Sequence, residues 1–458
     1  MAVFSTDLSQ TIETLLERKQ YNSIRDILVT VNAPDIATIL EDQPAERLMR
    51  LFRLLPKELA ADVFVEMEPE RQEELINGFS DKELSEILSE MYDDDAADLL
   101  EEMPANVANR ILKHADPDMR RTINELLKYP EDSAGSIMTT EFCDLRPTMS
   151  AADALAHIRK TGIDKETIDT CYVTERRILL GTITLRQLVL ADGGALVSDM
   201  MDENFVSANT LDDSEQVADM FAKYDLLSIP VVDSDSRLVG IVTVDDAIDV
   251  IREEATEDIE KMAAITPSGK PYPRLSVFEI YKNRIPWLML MMLSATFTQF
   301  ILKGFEDALS KLVVLSFYIP MLMDTGGNSG SQASVTIIRS LSLGEIEFKD
   351  IFKVIFKELR VALMCGATLA VLTFLKLRFI DGLDHSYALS VALAVAATLM
   401  ITVVIAKFFG CTLPMLVKKI GLDPAVMASP MITTIVDALS LVIYFLIASA
   451  FVLPNIPI

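Results

Sequence analysis

Asp437 stands in MITTIVDALSLVIY, an apolar run in the last stretch of the chain. An ionised carboxylate at bilayer depth costs on the order of 3 kcal/mol by insertion scales, so such a group normally faces a partner or a wet path. Lys407 is the nearest base in sequence that could serve as that partner. A second polar stretch, PMLMDTGGNSGSQAS (320–334), interrupts apolar sequence with Asp324, Gly326, Gly327, Asn328, Ser329, Ser331 and Gln332. Irregular backbone at membrane depth is tolerated only where it is buried in protein or lines water. The two glycines therefore predict either close helix contact or local unwinding that frees carbonyls. Pro430 lacks a donor and predicts exposed carbonyls near Ala425–Met427. Oxygen-rich walls with a carboxylate suit hard cations, and Mg2+, which sheds water reluctantly, suits a wall that holds a hydrated ion. One central acid is little for a pore; two chains on a two-fold axis would set two Asp437 carboxylates around one path.

These groups sit in five apolar stretches: 285–302, 312–338, 354–375, 387–405 with an extension towards 416, and 424–453. Each approaches the roughly 20 residues that cross a bilayer. Bases cluster before the first stretch (Lys270, Arg274, Lys282, Arg284), between the second and third (Arg339, Lys349, Lys353, Lys357, Arg360) and after the fourth (Lys407, Lys418, Lys419). The positive-inside rule then predicts a cytosolic front half and an external C-terminus.

The net charge of −27 is unevenly placed: 56 of the 68 acids but only 27 of the 41 bases precede Ser276, a balance of −29. Such a front half is unsuited to nucleic acid and suited to cations or to solubility. The four cysteines show no CxxC spacing and the three histidines no ligand motif. No Ser/His/Asp grouping, P-loop or zinc motif is present, so no enzyme is expected. Residues 1–130 repeat a short amphipathic helix every 12 or 24 residues (DIATILEDQP, ELAADVFVEMEP, ELSEILSEM, DAADLLEEMP), as a superhelical array does. Asp93, Asp94, Asp95 and Asp98 are packed more densely there than solvation requires. Residues 131–253 hold two related α/β units, SIMTTEF with LLGTITLRQLV and SDMMDENF with LVGIVTVDDAI, about 60 residues apart.

The two units resemble a tandem of cystathionine-β-synthase (CBS) domains. With the acidic array before them and the five spans after, the whole chain resembles the MgtE family of magnesium channels and transporters. The G-G-N-x-G-x-Q string at Gly326–Gln332 and the pattern Asp423, Pro424, Ala425, Pro430, Asp437 carry the resemblance. It implies a multidomain chain: a helical array (1–130), a CBS pair (131–253), a connecting gate helix with its linker (246–275) and a five-helix pore domain (276–458). It also implies a homodimer in the cell membrane with one Mg2+ path, shut by cytosolic Mg2+. By this resemblance Asp437 holds the hydrated ion, Asp423 binds an ion at the cytosolic mouth, and Gly327, Asn328 and Ala428 line the wall. Regulatory Mg2+ falls to Asp62, Asp94, Asp98, Asp213, Glu215, Asp225, Asp246, Asp249, Glu254, Glu257 and Asp258. Asp324 is an acid where the family commonly has a small or apolar residue, which leaves Mn2+ or Co2+ transport as an alternative. Thr243 and Asp246 fit the CBS ribose-holding pattern, while the first unit has Gln187 in place of the acid, so ATP binding stays open.

Overall fold

The computed structural model describes residues 2–270, 272, 275–306, 310, 312–381, 388–427, 429–452 and 454. The chain divides into two compact units, Met1–Arg252 and Glu253–Ile458.

The first unit opens with α1 (Ala2–Glu17), α2 (Tyr21–Leu28), α3 (Ala33–Glu41), α4 (Ala45–Phe52), α5 (Lys57–Val65), α6 (Pro69–Gly78), α7 (Asp81–Leu88), α8 (Asp93–Glu102), α9 (Ala105–His114) and α10 (Pro117–Leu126). Turn chemistry sets these lengths. Pro34, Pro69 and Pro117 sit in first turns, where their missing N–H costs nothing. Ser80 and Glu83 form a reciprocal capping box, and Asp116 accepts from the amides of Asp118 (2.8 Å) and Met119 (3.0 Å). The apolar stripe of each helix turns inward, as with Ile36, Ile39 and Leu40 of α3 or Ala96, Leu99 and Leu100 of α8.

Each α/β unit carries a three-stranded sheet. The first contains β1 (Asp144–Leu145), α11 (Ala151–Thr161), β2 (Thr170–Glu175), β3 (Ile178–Thr184) and α12 (Leu185–Leu190). The second contains α13 (Val197–Met200), β4 (Ala208–Asn209), α14 (Ser214–Tyr224), β5 (Ser228–Val232) and β6 (Leu238–Thr243), followed by the long α15 (Val244–Met262). In both, a parallel pair is followed by an antiparallel one, with registers Asp144↔Tyr172 and Thr170↔Thr184 in the first and Ala208↔Val231 and Ser228↔Thr243 in the second. A buried hydrogen bond of 2.6 Å between the hydroxyls of Tyr172 and Ser228 ties the two units together. One continuous apolar core takes in Val107 and Ile123 of the array and Val217 and Phe221 of the second α/β unit.

The second unit contains α16 (Val277–Gly304), a 3-10 segment (Val313–Tyr318), α17 (Ile319–Ser342), α18 (Ile351–Phe379), α19 (Ala388–Lys419), a 3-10 turn (Pro424–Met427), α20 (Ser429–Ile447) and a final π turn (Ala448–Val452). Among the described residues four segments are long and apolar enough to cross a membrane: Val277–Gly304, Phe348–Phe379, Ala388–Lys419 and Pro424–Val452. The remaining expected span differs in two ways. Leu312–Tyr318 is not α-helical, and α17 runs unbroken through the glycines to Ser342. The unwinding alternative is thereby overturned: the carbonyls around Gly326 and Gly327 stay within the helix, because the missing side chains serve packing. A Cβ on Gly326 would lie 2.5 Å from Thr402 Cγ2, and one on Gly327 2.8 Å from Thr433 Cγ2. Gly410 of α19 meets the Gly330 carbonyl of α17 where no side chain fits.

Candidate ion path and acidic cluster

Helix α17 packs on α19 and α20, and its glycines set the register. Gly327 lies against Thr433, while Gly326 and Gly330 lie against Val436. One turn towards the N-terminus of α17 and one turn towards the C-terminus of α20 bring Asp324 level with Asp437. Asp324 is accordingly the charged group whose field Asp437 feels. Asp437 is half-buried, and its Oδ1 has no hydrogen-bond partner. Asp324, Asn328 and Gln332, at i, i+4 and i+8, form an exposed polar stripe on α17. Ala428 lies outside the described residues.

Lys407 does not serve Asp437. It is buried against Glu358 of α18, Nζ to Oε2 3.6 Å. Pro430 occupies the first turn of α20 instead of breaking a span. The 3-10 turn Pro424–Met427 lies before it, and the Met427 carbonyl accepts from Ser334 Oγ of α17 at 3.1 Å. Lys418 donates to the Leu341 carbonyl at 2.6 Å and Lys419 covers the Phe348 ring at 4.0 Å, so the two bases that end α19 meet the end of α17 and the segment leading into α18. Asp423 lies there, with Oδ1 accepting from the Ala425 amide at 2.7 Å. The last turns of α15 dock beside it: Asp258 accepts from Ser342 Oγ at 3.4 Å, and Met262 packs on Ile338 and Ala425.

In the first unit Asp94, Asp95 and Asp98 of α8 come together with Asp246 of α15 and with Glu141 and Glu166 of the first α/β unit. Burial first, and neighbouring acids second, push Asp95, Asp98 and Glu166 up to about 7. Asp98 still reaches solvent. Asp246 is pushed up to about 6 by burial, while its hydrogen bond from Thr243 Oγ1 (2.5 Å) works the other way. Asp93 is pushed up to about 7 by burial and then by Glu141, although Thr140 Oγ1 donates to it at 2.8 Å. Asp94 Oδ1 and Glu166 Oε2 are buried without a hydrogen-bond partner. Glu66 feels Asp249 and Asp62, which extends the field along α5 and α15.

The other expected ligands are placed differently. Asp213 caps α14, accepting from the Gln216 amide at 3.2 Å, and Asp225 closes the same helix in a left-handed conformation (φ 54°). Glu215 lies in the first turn of that helix. Asp249 pairs with Arg252 at 3.3 Å, and Glu254 and Glu257 lie further along α15. Asp95 stands out in the sequence only as part of the dense run of α8 acids, and nothing local marks Glu66, Glu141 or Glu166; Glu141 and Glu166 are isolated acids in loops. Among the described residues no three acid, imidazole or thiol side chains form a ready-made metal cage. The cluster instead leaves Asp94 Oδ1 and Glu166 Oε2 without a donor, among acids that disfavour one another's charge. A cation supported by two carboxylates and its own water fits that arrangement.

Three family profiles match the chain. The MgtE profile, a divalent cation transporter, covers residues 319–447; the MgtE intracellular N domain covers 31–132; and the CBS domain covers 197–253. The magnesium transporter MgtE of Thermus thermophilus is 35% identical over 446 residues, 96% of this chain and 98% of that protein. This chain belongs to the MgtE family. The magnesium transporter MgtE of Bacillus subtilis is 34% identical, over 97% of this chain and 98% of its own length. Among solved structures, the cytosolic domain of the Mg2+ channel MgtE in complex with ATP is 34% identical and covers 53% of this chain and 99% of that one, with a TM-score of 0.51. The soluble part of a magnesium transporter is similar at 30% identity, with a TM-score of 0.52, covering 55% of this chain and 99% of that one.

A pH dependence follows from the cluster. Carboxyls raised in the folded state favour folding fully below their ordinary range near 4, and lose that contribution as pH rises through about 7. With a chelator present, the unfolding transition of the first unit should fall as pH rises from about 5 to about 7 and level off above that, by on the order of 5 °C in all, and Mg2+ should remove most of the fall. Asp95→Asn with Asp98→Asn should raise the chelated transition at pH 8 and shrink the Mg2+ effect. Calorimetry in buffers of different ionisation enthalpy should register protons released on Mg2+ addition at pH 7.

Proposed function

We propose that this MgtE-family protein is a homodimeric Mg2+ channel of the cell membrane, shut when its acidic cytosolic unit binds Mg2+. The observation that carries the reading is Asp437: a carboxylate in an apolar span, beside a glycine-packed helix, with an oxygen no donor satisfies. Asp324, Asn328 and Gln332 continue its polar surface along the open side of α17, where a second copy completes a path on a two-fold axis. Asp437 and Asn328 act on a hydrated ion through water, and Asp423 receives it at the basic, cytosolic end of the bundle. The array, the CBS pair and α15 form the cytosolic sensor, and the C-terminus lies outside.

Asp94, Asp95, Asp98, Asp246 and Glu166 would hold the regulatory cation, which supplies the positive charge this cluster lacks. Without it these acids repel, and α8 separates from the α/β units. Asp62 and Asp249 belong to the rim of the same field. Glu254, Glu257 and Asp258 form the ion-facing part of the gate helix. Asp213, Glu215 and Asp225 contribute from α14. A shift from 1:99 to 99:1 needs about 5.5 kcal/mol of differential affinity, which several weak sites acting together supply.

Asp324 favours a second reading, transport that extends to Mn2+ or Co2+, because two carboxylates at one level tolerate ions that exchange water more readily. Nucleotide modulation is confined to the Thr243–Asp246 pair, since Gln187 caps α12 through Thr184; in this reading ATP and cluster protonation compete for Asp246. The test is a patch recording with Mg2+ varied on the cytosolic face. Current carried by Mg2+ should vanish as cytosolic Mg2+ rises through the millimolar range. A current indifferent to cytosolic Mg2+ refutes the sensor, and absence of any divalent current refutes the channel.

A further inference from the structure

The end of the gate helix is already held by a cation, and that cation belongs to the protein. Lys261 Nζ lies 2.6 Å from Asp423 Oδ2 and also pairs with Glu257 Oε1, one turn back along α15. Its side chain is only 25% exposed. Burial works against the ammonium, but the hydrogen bonds to Asp423 and Glu257 outweigh it and raise the Lys261 pKa. Asp258, on the adjoining face, feels burial first and the Asp423 charge next, both disfavouring its ionised form, with Lys261 and Arg339 opposing. Three carboxylates, Glu257, Asp258 and Asp423, therefore gather around one ammonium.

Asp423 has little spare capacity. Oδ1 takes the Ala425 amide and Oδ2 takes Lys261. A divalent ion that uses the Asp423 carboxylate directly has to share or displace one of them, and only the lysine stands on a flexible four-carbon stem. We propose that Lys261 is a tethered counter-ion: it docks the end of α15 on the pore mouth when no metal is there, and yields Asp423 to an arriving divalent cation while keeping Glu257. The positioning role is to set how far the gate depends on metal. The inference rests on the reading of Asp423 as an ion-binding group at the cytosolic mouth.

The test is hydrogen exchange of the full-length dimer in nanodiscs, read over residues 253–262 with chelator and with saturating Mg2+. In chelator Lys261→Gln should exchange about tenfold faster than the unmodified protein, the scale of a partly screened double ion pair. Lys261→Arg, which keeps the charge, should stay close to the unmodified protein. In Mg2+ the Lys261→Gln helix should regain its protection. In an Asp423→Asn background Lys261→Gln should add little, because the partner is gone. Equal protection of Lys261→Gln and the unmodified protein in chelator overturns the tether. So does a Lys261→Gln effect that survives unchanged in Asp423→Asn. Failure of the broader reading registers elsewhere: if Mg2+ leaves exchange of residues 1–252 of the unmodified protein unaltered, the sensor fails, whatever Lys261 does.

Discussion

Asp437→Ala should abolish Mg2+ uptake while leaving a folded, monodisperse dimer. The expected loss is on the order of 100-fold, the scale of about 3 kcal/mol of charge stabilisation withdrawn from an ion in a narrow path. Thermal stability should rise, because the substitution removes a carboxylate whose Oδ1 has no donor and which lies near Asp324. That combination, higher stability with lost transport, separates a functional acid from a packing acid. A carboxylate tied to a neighbouring helix would lose stability on truncation. Growth on low Mg2+ of a strain lacking other importers measures the first effect, and a thermal melt of the purified dimer measures the second. Normal growth of the mutant sinks the pore assignment. Asp324→Asn should keep Mg2+ uptake and narrow the response to Mn2+ and Co2+, as competition in the same assay would show.

The second large effect is on shut-off. Removal of residues 1–130 should leave Mg2+ current at every cytosolic Mg2+ concentration, since the array supplies the α8 acids. The array shares an apolar core with the second α/β unit, so truncation also removes part of that core. A charge variant avoids that loss. Asp94→Asn with Asp98→Asn relieves the repulsion without metal and should move closure to lower Mg2+, the opposite sign to truncation. The two signs test the electrostatic account directly. If both variants leave the half-inhibitory Mg2+ unchanged, repulsion among these acids does not drive the gate. If both open it, the carboxylates act only as ligands and the repulsion account is wrong.

Much of the architecture is local and could be read along the chain. Turn prolines and apolar stripes repeat every twelve residues or so, and α2–α10 follow that spacing. The recurrence of SIMTTEF and SDMMDENF marks two units whose sheets have the same strand order. Apolar length marks the spans, because a helix crossing oil must satisfy its own backbone and offer lipid a greasy surface. The isolation of Asp437 in such a span is equally a property of order along the chain.

Space, not order, decided the rest. Glycines at 326 and 327 are compatible with contact or with unwinding until Thr402, Thr433 and Val436, 76 to 110 residues away, are seen to occupy the missing volume. Lys407 is an eligible partner for Asp437 by sequence, but its ammonium lies against Glu358. Glu141 and Glu166 look like ordinary loop acids until folding sets them beside Asp95. Helix and strand patterns arise from neighbours a few residues apart, so composition reveals them. Steric fit and electrostatic fields fall off with distance through space, so only the folded chain shows which glycine is filled, which base is taken and which acids repel.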